Sequence, residues 1–344
     1  MESLGRPRFH GRQVRASVLK RGLPSFASMT DLPADLREDL ERELRIESSR
    51  PESVQRSRDG TVKLLIRLED GESVESVLIP EGKRMTLCIS SEVGCPVRCS
   101  FCASGLEGLV RPLGTHEIVE QVLHARRMLV ADGTGPLANL VLMGMGEPLL
   151  NYEAVHAALE VLRDPDGIAL GARRITLSTV GILEGMERLA AERHPINLAV
   201  SLHAPDDETR SVLVPLNARY GVDRVAEAAR RYAATTKRDV TFEYVMLDGV
   251  NDSEAQARRL AGHASGGHVN VNLIPWNPVE GMDYSPPPPE RIQAFAGILR
   301  RRGVPVHVRK QRGEDIDAAC GQLRLKADGP GAPGTARGPG PTEV

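Results

Sequence analysis

From residue 84 to residue 308 the chain repeats one alternation: a short apolar run fit for a strand, then a longer stretch with apolar residues at helical spacing. This constrains the fold more than any other feature, because βα units in series lay their strands parallel and need a helix to carry each crossover. The runs predict strands at 85–90, 139–143, 174–178, 197–202, 240–246, 269–274 and 305–308. The helical patterns predict helices at 115–131, 151–162, 182–191, 223–234, 253–262 and 289–302. In the first of these Thr115 stands as the N-cap, and Ile118, Val122, Ala125 and Leu129 mark one buried face. About six βα units fall short of the eight that close a full barrel, so the expected fold is α/β with an open, partial (βα)6 barrel. Pattern alone also admits a doubly wound sheet.

The flanks read differently. Residues 1–50 are expected to form a small helical accessory domain: Val14, Val18 and Leu19 recur at helical spacing, and the charged stretch 35–44 follows Pro33. Within the first thirty residues Arg6, Arg8, Arg12, Arg15, Lys20 and Arg21 stand against Glu2, a local balance of +5 that the net charge of -2 hides. This is a candidate RNA-touching arm or, equally, a solvated basic face. Residues 51–83 are expected as a β extension, since 61–69 and 73–80 alternate around Asp70-Gly71, a hairpin signal. Residues 84–326 make the main domain and a catalytic C-terminal segment, with Ser285 and the four prolines after it as a stiff connector. Residues 327–344, rich in Gly and Pro, read as a disordered tail. With 41% hydrophobic and 26% charged residues the chain suits a soluble enzyme, and 3% aromatics argue against a long stacking platform for single-stranded RNA. No run approaches the roughly 18 apolar residues of a membrane span, and the polar start is unlike a secretory signal, so no membrane partner and a cytoplasmic location are expected.

Four of the five cysteines, Cys88, Cys95, Cys99 and Cys102, fall in one short stretch, and Cys320 lies far downstream. In a reducing compartment such a group binds metal or does redox chemistry rather than stapling the fold. Cys95-Pro-Val-Arg-Cys99-Ser-Phe-Cys102 follows the first main-domain strand, where parallel α/β folds keep their chemistry. Structural zinc sites take four protein ligands, whereas three thiolates leave one iron of a cubane 4Fe-4S cluster open. Cys88, in the strand itself, is either a fourth ligand or an independent thiol, and zinc held by all four remains an alternative.

The CxxxCxxC motif, with Phe101 before its last cysteine and βα units behind it, resembles the radical S-adenosylmethionine (SAM) superfamily. The predicted strand 139–143 runs into Gly144-Met145-Gly146-Glu147-Pro148, which resembles that superfamily's motif for the methionyl ammonium. The likeness narrows to the RlmN/Cfr family of adenine methyltransferases acting on 23S rRNA and tRNA. It is carried by Thr86-Leu87-Cys88-Ile89-Ser90-Ser91, Thr176-Leu177-Ser178-Thr179, Ser201-Leu202-His203-Ala204-Pro205, Asn272-Leu273-Ile274-Pro275-Trp276-Asn277-Pro278 and Asp317-Ala318-Ala319-Cys320-Gly321-Gln322-Leu323. These stretches fall in order between Glu75 and Leu323; the tail is not covered, and the N-terminal arm matches only loosely.

The resemblance implies a partial radical SAM barrel, a 4Fe-4S cluster on Cys95, Cys99 and Cys102, and two SAM molecules per turnover. Carbon 2 of adenine is an electron-poor amidine carbon, so direct attack on the cofactor's methyl group is unfavourable and a radical route is needed. By resemblance, Cys320 takes a methyl group from one SAM. A deoxyadenosyl radical from the second removes hydrogen from that S-methyl, and the carbon radical adds to the ring. Glu75 matches the base that removes the ring proton, and Cys88 the thiol that resolves the adduct through a disulfide with Cys320. Gly146, Glu147, Ser178, Ser201, Leu202, His203 and Asn277 match the cofactor pocket. The implied partners are 23S rRNA near the peptidyl transferase centre, with tRNA left open, and an electron donor such as flavodoxin; the protein is expected to be a monomer. Methylation of carbon 8, the antibiotic-resistance type, is the alternative.

Taken singly these residues say less. Glu75 alone reads as a strand-face carboxylate, Cys88 and Cys320 as small buried apolar groups, His203 as a loop histidine, Ser178 as a turn cap and Trp276 as a pocket wall. Independent support for RNA contact comes from Arg300, Arg301, Arg302, Arg309, Lys310 and Arg312, which approach Cys320 with no acid before Glu314.

Overall fold

The computed structural model describes residues 1, 4–192, 196–266, 268–319 and 321–323. Helices α1 (Arg8–Arg15) and α2 (Ala34–Glu43) precede three strands, β1 (Arg50–Arg56), β2 (Val62–Arg67) and β3 (Ser73–Glu81). The main body opens with β4 (Arg84–Cys88), followed by a ribbon of β5 (Glu92–Gly94) and β6 (Leu109–Pro112). It continues α3 (Thr115–Ala131), β7 (Leu137–Leu142), α4 (Tyr152–Arg163), β8 (Ile175–Thr179), α5 (Leu183–Ala191) and β9 (Asn197–Ser201). Then come α6 (Asp207–Leu213), α7 (Val222–Thr236), β10 (Val240–Met246), α8 (Glu254–His263), β11 (Val269–Pro275), α9 (Pro289–Arg301) and β12 (Val306–Val308).

The strand order settles the choice between barrel and doubly wound sheet. Strands β4, β7, β8, β9, β10, β11 and β12 are neighbours in sequence order and parallel throughout. A doubly wound sheet reverses its order at a switch point, whereas winding always one way curls the sheet into an open barrel. Strands β1, β2 and β3 extend it by antiparallel pairing, with β3 seated on β4 so that Val77 faces Cys88.

The two faces of the barrel sheet are chemically distinct. Along β10, Phe242 and Tyr244 are wholly buried, and Tyr244 meets Phe295 of α9. Between them Glu243 turns to the inner side, its carboxylate accepting a hydrogen bond from Asn272 Nδ2 at 2.8 Å. Ser178 and Ser201 occupy the same inner side on β8 and β9, 3.3 Å apart at their hydroxyls. Period-two alternation thus buries apolar residues under the helices and turns polar ones toward the lumen.

The N-terminal segment has its own small core of Phe26, Met29, Leu32, Leu36 and Leu40, against which Val14 and Val18 pack. Much of its positive charge is neutralised locally: Arg6 pairs with Asp35 and Asp39, Arg21 with Asp31, and Arg15 with Asp164 of the main body.

Three expectations need correction. The N-cap of α3 is Gly114, not Thr115: Glu117 in the first turn accepts the Gly114 amide at 2.7 Å, so the capping oxygen comes from within the helix. Strand β1 went unforeseen, since Arg-Pro-Glu-Ser-Val-Gln-Arg is exposed throughout and only its pairing with β2 extends it. Helix α6 and the β5–β6 ribbon are too short to show a period. The 327–344 tail lies outside the described residues, among which no helix is long and apolar enough to cross a membrane.

Candidate active site

The cysteine loop begins where the β5–β6 ribbon narrows. Gly94 has φ +77°, and a Cβ there would sit 2.0 Å from the Gly108 carbonyl oxygen, so only glycine lets the ribbon close. The Cys95 amide donates to that oxygen at 2.9 Å, the Ser100 amide to Leu213 O at 3.0 Å, and the Cys102 amide to Cys99 O at 3.1 Å. So pinned, Cys95, Cys99 and Cys102 line one open cavity, together with Gly146, Glu147, Ser178, Ser201, His203 and Asn277.

Burial pushes the Cys95 thiol up to about 12, and Cys99 well above the ordinary thiol range. Thiolates so enclosed need a cationic centre to offset the lost hydration. Among the described residues no three His, Cys, Asp or Glu side chains converge on a point that a single metal ion would fill. Three thiols lining one cavity suit a cluster several ångströms across, three of whose four irons would each take a thiolate, and the residues present fit a 4Fe-4S group.

The turn after β7 forms the next wall. Gly146 has φ +104°, and a Cβ there would lie 2.7 Å from the Cβ of Glu92. Glu147 behind it is almost fully buried and does more than the sequence indicated: its carboxylate accepts the Leu149 amide at 3.1 Å and the Val180 amide at 2.8 Å. It thereby ties the β7 turn to the end of β8. Burial raises Glu147 to about 7; burial, with the charge of Glu147 added, also raises Glu92 to about 7.

His203 follows β9 in the left-handed region, φ +58°. Its Nδ1 accepts the Val245 amide at 3.1 Å, which leaves the ring proton on Nε2, and its face meets Phe101 edge-on at 4.7 Å. Burial, helped by the charge of Arg210, lowers it to about 3, so the imidazole is neutral. Leu202 is fully buried and stands apart from the residues lining the cavity. Trp276 forms part of the wall, its Nε1 donating to Phe101 O at 3.0 Å.

Sequence reasoning missed two groups. Arg210, 1% exposed, donates to Leu202 O at 2.9 Å, Asn217 Oδ1 at 2.8 Å, Ser201 O at 3.2 Å and Val180 O. One guanidinium thus clamps the ends of β8 and β9. Glu243 on the lumen side of β10 is the other; burial raises it, partly opposed by the charge of Arg309. An arginine in a seven-residue helix and a lone acid in an apolar strand carry no local signal of either role.

A second, smaller cavity adjoins the first and shares Cys102, Met143, Gly144, Asn277, Arg309 and Gly321 with it. Cys88 lines this second cavity and not the first, apart from Cys95 and Cys99, while Cys102 stands at the border and lines both. Arg309, Lys310 and Arg312 give the second cavity a basic wall. The C-terminal segment closes it: Ala103 N donates to Gly321 O at 2.8 Å, Ser104 Oγ to Leu323 O at 2.7 Å, and Gln322 Nε2 to Pro278 O at 2.9 Å. Cys320 lies outside the described residues, while Ala319 and Gly321 on either side of it line the cavity. Glu75, 4% exposed, has Oε1 3.0 Å from Lys63 Nζ. Two positions along the same strand face, Val77 lines the second cavity.

The Radical SAM superfamily matches residues 89–261. A probable dual-specificity RNA methyltransferase RlmN of Rhodopirellula baltica is 47% identical over 324 residues, covering 94% of this chain and 87% of that one. The dual-specificity RNA methyltransferase RlmN of Desulfotalea psychrophila is 44% identical over 328 residues, covering 94% and 90%. Among solved structures, a radical SAM methyltransferase from Sphaerobacter thermophilus superposes with a TM-score of 0.91 at 47% identity, covering 94% of this chain and 95% of that one. The one-way winding of the strands, the three thiols at the mouth of the first βα loop and these likenesses over nearly the full length agree: the chain belongs to the RlmN family of radical SAM RNA methyltransferases.

Proposed function

We propose that the protein methylates carbon 2 of a specific adenosine in 23S rRNA near the peptidyl transferase centre. tRNA is the second substrate, in keeping with the dual specificity named for its relatives. The carbon-8 alternative is set aside, because relatives over nearly the whole chain bear the name of the carbon-2 branch. The observation that carries the reading is the pair of adjoining cavities: three thiols line one, Cys88 and the residues beside Cys320 line the other, and Asn277 and Arg309 stand between them.

In this reading Cys95, Cys99 and Cys102 hold the 4Fe-4S cluster, while Gly146, Glu147, Ser178, Ser201, His203 and Asn277 enclose SAM and Leu202 packs behind them. When bound, the cluster and two SAM per turnover supply the methyl group and one-electron chemistry, with a flavodoxin-like donor as the source of electrons. Cys320 carries the methyl group on its sulfur and brings it to the flipped-out adenine. Glu75 takes the ring proton, and Cys88 takes the Cys320 sulfur into a disulfide that frees the base, so reduction must restore both thiols. Arg309, Lys310 and Arg312 face the RNA phosphates. The helical segment 1–50 flanks the 84–326 body, the extension 51–83 continues its sheet, and the protein works as a monomer in the cytoplasm.

The test is mass spectrometry of digested 23S rRNA and tRNA after anaerobic reaction with methyl-deuterated SAM, beside a Cys320→Ala control. Label on carbon 2 that the control lacks is the expected result. Label on carbon 8, or none despite SAM cleavage, overturns the reading.

A further inference from the structure

We infer that Lys63 is the positioning residue for the base and joins it to the segment that bears the methyl group; this rests on Glu75 being the base of the proposed reaction. In the β2–β3 ladder Leu65 is opposite Glu75 and Lys63 opposite Val77, so Lys63 and Glu75 are diagonal neighbours on one face. Cys88 joins that face, since Val77 is opposite it on the other side. Lys63 Nζ lies 3.0 Å from Glu75 Oε1 and 3.3 Å from the carbonyl oxygen of Asp317. The two side chains are 10% and 6% exposed. One ammonium therefore touches both the proposed base and the chain three positions before Cys320.

An ammonium so enclosed is tolerable only while its donors are satisfied, and the carboxylate and the carbonyl do this together. Turning the Glu75 carboxylate away would break a charge-assisted bond in a poorly hydrated place, so Lys63 fixes its orientation. The same bond network sets the distance between the carboxylate and the Cys320 segment, which has to deliver its methylene carbon to the atom whose proton Glu75 removes. In that step the proton passes from carbon 2 to the carboxylate and the C–H electron pair returns to the purine, while Lys63 keeps its own protons. Displacement of a reacting group by about 1 Å costs on the order of 100-fold in rate, so loss of this tether falls on the proton-transfer step.

The experiment uses the full-length, cluster-loaded enzyme and a 23S rRNA fragment whose target adenosine carries either hydrogen or deuterium at carbon 2. Lys63→Met is expected to lower kcat at least ~10-fold with KM within about twofold, and to unmask a carbon-2 deuterium isotope effect of at least ~2 that the parent enzyme does not express. Lys63→Arg restores most of the rate. Cys320 S-methylation, read by mass spectrometry of the protein, stays at the parent level. If Lys63→Met does not fold, Lys63→Gln is judged by the same criteria. An unchanged rate in the Lys63 variant beside an inactive Glu75→Gln overturns the inference and spares the base; so does a slow variant with no isotope effect or a change in KM alone. A normal rate in Glu75→Gln overturns the assignment of the base itself.

Discussion

Replacing Arg210 by methionine tests whether the lumen end of the barrel is held by a single side chain. Methionine has similar length and fills the space, so packing is largely kept and the polar network is what is lost. Four acceptors lose a donor: Val180 O, Ser201 O, Leu202 O and Asn217 Oδ1. Leu202 O keeps the Ala204 amide at 2.8 Å; a buried acceptor left bare costs about 1–3 kcal/mol, and the others are neighbours that relax together, so the sum is not additive. Against this stands the burial cost of the guanidinium itself, which already pulls Arg210 down to about 10. The balance is a loss of about 2–4 kcal/mol, since what remains is a set of neutral buried acceptors rather than an unpaired charge. Urea unfolding of the metal-free protein reads the stability, and equilibrium dialysis reads SAM binding to the cluster-loaded enzyme. Both should fall, since the clamped carbonyls fix the strand ends that carry Ser178 and Ser201. The conservative change Arg210→Lys, which puts one ammonium in place of a planar fork, should recover part of the stability and little of the binding. A loss under about 1 kcal/mol with SAM affinity unchanged would refute the claim that the clamp organises the pocket.

Other outcomes follow from the same geometry. Changing any one of Cys95, Cys99 and Cys102 to alanine should abolish the cluster's visible absorption and the methylation of RNA, whereas Cys88→Ala should keep the absorption and stall turnover at a protein–RNA adduct seen on a denaturing gel. Gly94→Ala should lower iron content after reconstitution, because the new Cβ meets the Gly108 carbonyl and breaks the register that seats Cys95; normal iron would count against this account. His203 is held at about 3 against an ordinary value of 6.5, so the unfolded chain binds the extra proton between those limits. Its contribution to stability is therefore complete above pH 6.5 and declines as pH falls toward 3, by about 2 kcal/mol at pH 5. The metal-free His203→Gln protein should show a flatter stability profile over about pH 5–7, and identical profiles would contradict the burial of a neutral ring.

Much of this was legible in the chain because it is local. The CxxxCxxC spacing fixes three thiols within one loop whatever surrounds it, and the glycines flanking Met145 mark a close backbone approach by their lack of a Cβ. The apolar residues of β10 and β11 were legible as strands, with Thr241, Glu243, Asn270 and Asn272 at alternate positions marking the face that turns from the helices toward the lumen. Resemblance extended this to Glu75, Cys88 and Cys320, which no spacing connects.

What remained hidden depends on residues far apart in sequence. Sequential strand order, not periodicity, chose the open barrel over the doubly wound sheet. Strand β1 exists because β2 offers it hydrogen bonds, and Gly114 caps α3 because Glu117 turns back on it. The placing of Cys88 in a cavity apart from Cys95 and Cys99, the clamp by Arg210 and the link from Lys63 to both Glu75 and Asp317 arise only when the sheet closes. Each is a polar or reactive group whose meaning lies in its burial and partners, and a sequence lists the groups without stating the distances at which electrostatics and hydrogen bonding act.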